Sequence, residues 1–263
     1  MFTIIVPTHN RPLLLRRTLR SLAAQTFTQF QVIVVDDTGA YIPPFPELAT
    51  LQGRYHYLIR SGDSGPAVSR NMALALCAEM PATHYILFLD DDDTLEPEHL
   101  ANLAKHIGNT RPPLLFCDFK VQHEDRTSDP PQALSQESFF IGGVVKDSLF
   151  VRNSIPNSCL VYRSDVIRHV RYDTTMLIYE DWDFALQCLA HHDLQHVPTN
   201  TVVIHKSRAT APENLRRGNT RDDLIAPVML ALYKQRPALN ADTRLARQAL
   251  LAGAGIPVAL EDC

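Results

Sequence analysis

Three groups of carboxylates stand where strands are expected to end. Asp36-Asp37 and Asp90 through Asp93 each follow an apolar run, and Glu180-Asp181 opens a stretch with helical spacing. In an open parallel sheet, ligands bind beyond the C-terminal ends of the strands, which places these acids on one edge. Four consecutive aspartates repel one another. A solvated acidic turn before the next helix would tolerate some of them, and a divalent cation with oxygen ligands explains them better because it neutralises the cluster. Asp181 beside Glu180 is read either as a general base or as an acidic helix N-terminus favoured by the helix dipole. His205 ends a strand and is followed by Lys206, Ser207 and Arg208; with Arg216, Arg217 and Arg221 it makes the stretch 205–221 basic.

The elements that must position these residues follow from periodicity. Residues 2–6 form a short β-rich run that stops at Pro7, after which Asn10 can cap a helix with Pro12 in its first turn. Leu15, Leu19 and Leu22 recur at helical spacing, with Arg16, Arg17 and Arg20 mostly on the other side. Strands are expected at 31–35, 55–59, 85–89, 114–119, 159–162 and 201–205, alternating with helices at about 67–79, 96–107, 164–170 and 180–191. Continuous apolar strands alternating with helices argue for a mostly parallel sheet covered on both faces. Residues 121–152 read as loops with one short strand at 139–145. The last part, 222–234 and 242–251, reads as helices, so the domain proper is expected at 1–206 with a helical extension, 207–263, packed on it.

Composition narrows the class. A chain of 263 residues with 45% hydrophobic and 21% charged residues is an ordinary globular protein, neither disordered nor coiled coil. A pI near 6.2 argues against a protein built to hold nucleic acid. The net charge of -4 is unevenly spread: residues 91–150 carry 5 Lys/Arg against 11 Asp/Glu, and 207–263 carry 8 against 6. Five scattered cysteines without a CxxC pair read as buried reduced thiols of a cytosolic protein. The start lacks the pattern of a signal peptide, and no apolar stretch is long enough to span a bilayer. The expected location is therefore the cytoplasm, with a peripheral contact at the inner membrane face as one reading of the basic stretch. His191, His192 and His196 are read as structural.

Two families use such an acidic run. Asp90-x-Asp92-x-Thr94-Leu95 after four apolar residues is the spelling of the haloacid-dehalogenase phosphatase nucleophile loop, although that family usually has Gly where Asp93 stands and carries the loop on an early strand. The second resemblance covers far more of the chain. Ile4-Ile5-Val6-Pro7-Thr8-His9-Asn10-Arg11, Leu22 through Phe27, Val34-Val35-Asp36-Asp37-Thr38-Gly39, Asp63 through Asn71, Phe88 through Pro97 and Tyr179-Glu180-Asp181-Trp182-Asp183 stand in one order over residues 2–205. This ordered set resembles the inverting family 2 glycosyltransferases with the GT-A fold.

The resemblance implies roles position by position. Pro7, Thr8, Asn10 and Arg11 would line the donor nucleotide pocket, with His9 where many members have Tyr. Asp37 would accept a hydrogen bond from the nucleobase, with Asp36 supporting it. Asp63, where Asn is frequent, and Arg70 would form the nucleotide-side wall. Asp90-x-Asp92 would be the family's DxD motif, with Asp92 the first metal ligand, Asp90 a second, Asp90 or Asp91 nearer the sugar and ribose, the four acids fitting the motif in either of two registers one residue apart, and His205 a third ligand or a diphosphate contact. The cofactor implied is Mn²⁺ or Mg²⁺. Asp181 would be the catalytic base, and Trp182 would pack beneath its loop. The partners implied are a nucleotide-diphosphate sugar, UDP-linked by preference, and a glycan or lipid-linked acceptor. A non-catalytic nucleotide-sugar-binding subunit is the alternative from another class.

Overall fold

In the computed structural model, residues 1–39, 46–62, 65–80, 82–207 and 222–263 are described. The chain runs β1 (Phe2–Thr8), α1 (Pro12–Ala23), β2 (Phe30–Asp36), α2 (Pro46–Ala49), β3 (Tyr55–Ile59), α3 (Gly65–Ala78), β4 (Tyr85–Phe88), β5 (Thr94–Leu95) and α4 (His99–Ile107). It continues with β6 (Leu114–Asp125), β7 (Gln132–Phe139), α5 (Lys146–Leu149), β8 (Leu160–Arg163), α6 (Glu180–Leu189), β9 (Leu194–Ser207), α7 (Asp222–Gln235) and α8 (Ala241–Gly253). The strands form one sheet in the order β3-β2-β1-β4-β8-β6-β9-β5, with β7 paired to β6.

The sheet is parallel across β3, β2, β1 and β4 and mixed beyond them. Strand β8 runs antiparallel to both β4 and β6, so β6 and its parallel neighbour β9 point the same way as β1. The C-terminal ends of β1, β2, β4, β6 and β9 therefore share one edge. Apolar runs such as Ile4–Val6 and Val32–Val35 are wholly buried because helices cover both faces. Helix α1 contributes Leu14, Leu15, Leu19 and Leu22 to the same core.

Several boundaries differ from the sequence expectation, each for a physical reason. Strand β1 continues through Pro7, which pairs with Val35. Backbone groups alternate between neighbours along a parallel strand, and Ile5 faces β4, accepting from Leu89 N. Pro7 faces the same side, where pairing with β4 has already ended at Ile5, so its missing N–H costs no ladder bond. Asn10 does not cap α1; it takes a left-handed conformation with φ 50°, which asparagine tolerates, and Arg11 occupies the cap position.

Residues 121–152 depart most from expectation. They are not chiefly loops, because β6 runs on to Asp125 and turns back as β7, while 139–145 is not a strand. Fourteen-residue β9 supplies the partner that keeps β6 extended. The expected helix at 164–170 is not formed; residues 164–169 make turns. All five cysteines are buried and unpaired. Among the described residues, no helix is long and apolar enough to cross a membrane.

Candidate active site

The shared strand edge gathers the expected acids. Thr8, the last residue of β1, donates its hydroxyl to Asp91 Oδ2 at 2.7 Å, joining the first strand to the loop after β4. Asp36 turns inward to Tyr57 Oη at 2.7 Å and to the Thr38 hydroxyl at 2.8 Å, a supporting position. Asp37 is nearly buried between His9 Nδ1, at 2.5 Å, and Arg60 Nη1, at 3.5 Å, while His9 itself is half exposed. Asn10 is exposed beside it. Asp63, Arg208, Arg216, Arg217 and Arg221 lie outside the described residues.

The four-aspartate run is held by the protein itself. Asp90 accepts from Arg70 Nη2 at 2.9 Å. Asp91 has Thr8 and, at 3.4 Å, Arg11. Both terminal nitrogens of Arg126 reach Asp92 Oδ2, at 3.3 and 3.2 Å, and Arg11 stands 3.9 Å from the same oxygen. Asp93, fully buried, accepts from Ser158 Oγ at 2.8 Å and from the backbone of His205 at 3.2 Å. The mutual repulsion that invited a metal ion is thus answered by side chains distant in sequence. Burial, added to by the Asp92 charge and opposed by Arg11 and Thr8, pushes the Asp91 carboxyl up to about 7.

Behind Asp92 lies a network that the sequence does not announce. Glu124, near the end of β6, receives Arg17 Nη1 at 2.7 Å, Arg126 Nε at 2.6 Å and His205 Nδ1 at 2.9 Å. Burial alone would raise the Glu124 carboxyl, but His205, Arg17 and Arg126 hold it at about 2. Arg17 also donates to the Asp92 carbonyl at 2.8 Å. Helical spacing puts Arg17 on the outer side of α1, and only contact with this network turns it inward. Arg126 and Glu124 fall in the stretch that reads as loops; the alternation of buried Phe119 and Val121 is the signal that β6 continues.

His205 is anchored on both sides of its ring. Glu124 is ionised and can only accept, so Nδ1 carries the hydrogen and Nε2 accepts from the Thr94 hydroxyl at 2.9 Å. Burial lowers the imidazole's pKa, opposed by Glu124, which favours this neutral form. Both ring nitrogens are therefore engaged. Among the described residues no three His, Cys, Asp or Glu side chains converge as a metal cage. The expected ligand set of Asp92, Asp90 and His205 is not assembled: Asp92 is paired with Arg126, Asp90 with Arg70, and His205 with Glu124 and Thr94. In this arrangement the residues do not fit a resident divalent ion.

The corner that holds the candidate base is built by a strained turn. Tyr179 has φ 65°, a left-handed conformation that swings the chain into α6 and puts Glu180 and Asp181 in its first turn. Asp181 accepts the backbone N–H of Trp182 at 2.7 Å, and Glu180 accepts from Arg70 Nη1 at 2.9 Å. The buried guanidinium of Arg70 thus bridges Asp90 and Glu180, joining the two acidic motifs. Burial first, and then the Glu180 charge, push the Asp181 carboxyl up to about 7 against the opposing pull of Arg70. A carboxyl poised near neutral pH is suited to take a proton from a hydroxyl.

Comparison with known proteins shows the family. The model of glycosyl transferase family 2 matches residues 3–170, well over half of the chain. The chain belongs to glycosyl transferase family 2. The succinoglycan biosynthesis protein ExoW of Rhizobium meliloti is 28% identical over 205 residues, which are 71% of this chain and 63% of that protein. A PGL/p-HBAD biosynthesis glycosyltransferase of Mycobacterium bovis is 27% identical over 197 residues, 73% of this chain and 70% of that one. The crystal structure of S. aureus TarS 1-349 in complex with UDP-GlcNAc superposes with a TM-score of 0.66 and 18% identity, covering 95% of this chain and 71% of that one. That likeness speaks for the GT-A fold.

The chain is accordingly a glycosyltransferase, and the phosphatase reading of the Asp90-x-Asp92 loop falls away. In this transferase the family match ends before Asp181, and the C-terminal helices take over its support. Asp183, two residues after Asp181 and fully buried, is gripped by Arg236 at 2.7 and 3.1 Å and by Gln187 at 2.8 Å. Trp182 is buried as expected, donating its ring N–H to the Leu149 carbonyl at 2.7 Å and meeting the Tyr233 ring edge-on at 6.3 Å. Arg247, with no exposed surface, holds the carbonyls of Phe150 at 2.6 Å and Arg236 at 2.8 Å, with Tyr233 beneath its guanidinium at 4.2 Å. Helices α7 and α8 thereby tie the 147–151 segment to α6. His196 Nε2 donates to Asp118 Oδ1 at 3.0 Å, a structural pairing.

Proposed function

We propose that this transferase moves a sugar from a nucleotide-diphosphate donor, UDP-linked by preference, to a hydroxyl of a glycan or lipid-linked acceptor, with inversion at the anomeric carbon. The observation that carries the reading is Asp181, ionising near 7 and joined through Glu180 and Arg70 to Asp90 at the strand edge. The acceptor oxygen attacks the anomeric carbon as the bond to the β-phosphate oxygen breaks. Its proton passes to Asp181, and the nucleoside diphosphate leaves as an anion stabilised by fixed positive charge.

Asp37, with Pro7, Thr8, Asn10 and Arg11, takes the nucleoside side; Arg70, Asp90 and Asp91 take the ribose, phosphate and sugar side. TarS, crystallised with UDP-GlcNAc and with UDP, supports a uridine donor. Relatives named for succinoglycan and for PGL/p-HBAD biosynthesis support an acceptor in cell-surface polysaccharide or glycolipid synthesis. The experiment is a screen of UDP-sugars against saccharide and polyprenyl-linked acceptors, reading released UDP and the product anomer by NMR. Inverted product that disappears in Asp181→Asn, with UDP binding kept, is the expected result. Retained configuration, or turnover in Asp181→Asn equal to the parent's, overturns the assignment.

A further inference from the structure

Several acids at the donor edge already face arginines, while Asp93 is held by the Ser158 hydroxyl and a backbone N–H, and Arg70 is shared by Asp90 and Glu180. Asp91, Asp92 and Glu124 face Arg11, Arg17 and Arg126, and Asp90 faces Arg70. Arg126 is the innermost of these cations: its side chain and that of Asp92 are each only 2% exposed. Its three nitrogens are committed to Glu124 Oε1, to Asp92 Oδ2 and to the carbonyl of His205 at 3.1 Å, so the loop after β4, the end of β6 and β9 converge on one guanidinium. A guanidinium cannot lose its charge in a protein, which makes this a permanent cation where the family motif would place an exchangeable one.

We propose that Arg126, not a divalent ion, is the working counter-cation of Asp92, and that donor binding by this transferase is independent of metal. The inference rests on the nucleotide-sugar reading above. A divalent ion approaching Asp92 meets Arg126 at 3.2 Å from the same carboxylate oxygen and Arg11 at 3.9 Å. It would have to expel the first guanidinium, removing one of the three partners of Glu124, or share the oxygen against like-charge repulsion. The Nε2 lone pair of His205 is already taken up by the Thr94 hydroxyl. The arginines paired with the run leave its carboxylates as rigid anchors, and the diphosphate meets an edge carrying guanidinium groups suited to phosphate oxygens.

The test is calorimetric titration of the whole chain with UDP, and separately GDP, in excess EDTA and in Mn²⁺, together with a titration of Mn²⁺ alone. The parent protein is expected to bind the nucleotide in EDTA within about threefold of its affinity in Mn²⁺, and to take up no Mn²⁺ at Asp92. Arg126→Ala is expected to lose at least about tenfold in EDTA and to gain Mn²⁺ binding and Mn²⁺-dependent nucleotide affinity, because Asp92 is then released. Arg126→Lys, which keeps the charge, is expected to stay metal-independent. Nucleotide binding by the parent only when Mn²⁺ is present overturns this inference and leaves the donor reading standing. Absence of nucleotide binding in both conditions overturns the donor reading and the inference with it. Should Arg126→Ala fail to fold, the two parent titrations and Arg126→Lys decide alone.

Discussion

The two acidic corners of this transferase are built on opposite electrostatic plans. In the Asp90–Asp93 corner every carboxylate meets a guanidinium or a hydroxyl drawn from another part of the chain, and Glu124 is held at about 2. In the Glu180–Asp183 corner only the flanking acids are paired: Glu180 with Arg70 and Asp183 with Arg236. Asp181, between them, has one backbone N–H and a like-charged neighbour, and it ionises near 7. The first corner is a scaffold for charge; the second keeps one carboxyl short of partners so that it can trade a proton.

The largest expected effect is therefore at the under-partnered acid. Asp181→Asn should cut kcat by about 10²–10⁴-fold, the usual worth of a general base, with UDP affinity unchanged by calorimetry. Next is the paired neighbour. Arg236→Ala leaves buried Asp183 with Gln187 alone and should cost about 2–3 kcal/mol of stability, read as a lower denaturant midpoint. Equal stability in that variant would deny that the C-terminal helices support the Asp181 corner.

The contrast also has a pH signature. Asp181 must be ionised to act, so kcat should rise with pH through about 7, and Glu180→Gln should move that limb to lower pH by removing the like charge. For stability the sign is reversed. The folded pKa lies above the ~3.9 of an unfolded aspartate, so the fold holds the proton more tightly and stability falls as pH rises between the two values. Asp181→Asn, which mimics the neutral form, should melt above the parent at pH 8 and converge with it near pH 4. The smallest effect belongs to the scaffold corner: Thr8→Val removes one neutral-donor bond to Asp91 and should lower stability by about 1 kcal/mol.

Much of this is legible along the chain. Buried parallel strands show as unbroken apolar runs, so β1 through β4 can be read to within a residue or two, and the acids at their ends fall on the correct edge. Asp36 and Asp37, Asp90 and Asp91, and Asp181 stand where strand-end reasoning puts them. The β6–β7 hairpin is not legible, because exposed β7 carries no apolar periodicity and β6 is extended by a β9 that lies some 80 residues away. With that hairpin go Glu124 and Arg126. Arg17 escapes for a different reason: helical spacing says which side of α1 a residue occupies, and a long side chain can reach around it.

The amino-acid sequence by itself determined the class of the molecule, the succession of its buried strands and the carboxylate proposed as its proton acceptor, because hydrophobic periodicity and short motifs are local properties. It also determined that four negative charges lie side by side. What neutralises them was decided only by the tertiary structure. The partners come from residues 8, 11, 17, 70, 126, 158 and 205, and bringing them within 4 Å requires α1, α3, β6 and β9 to meet at one sheet edge. Electrostatic pairing depends on distance in space, which no local pattern in the chain encodes.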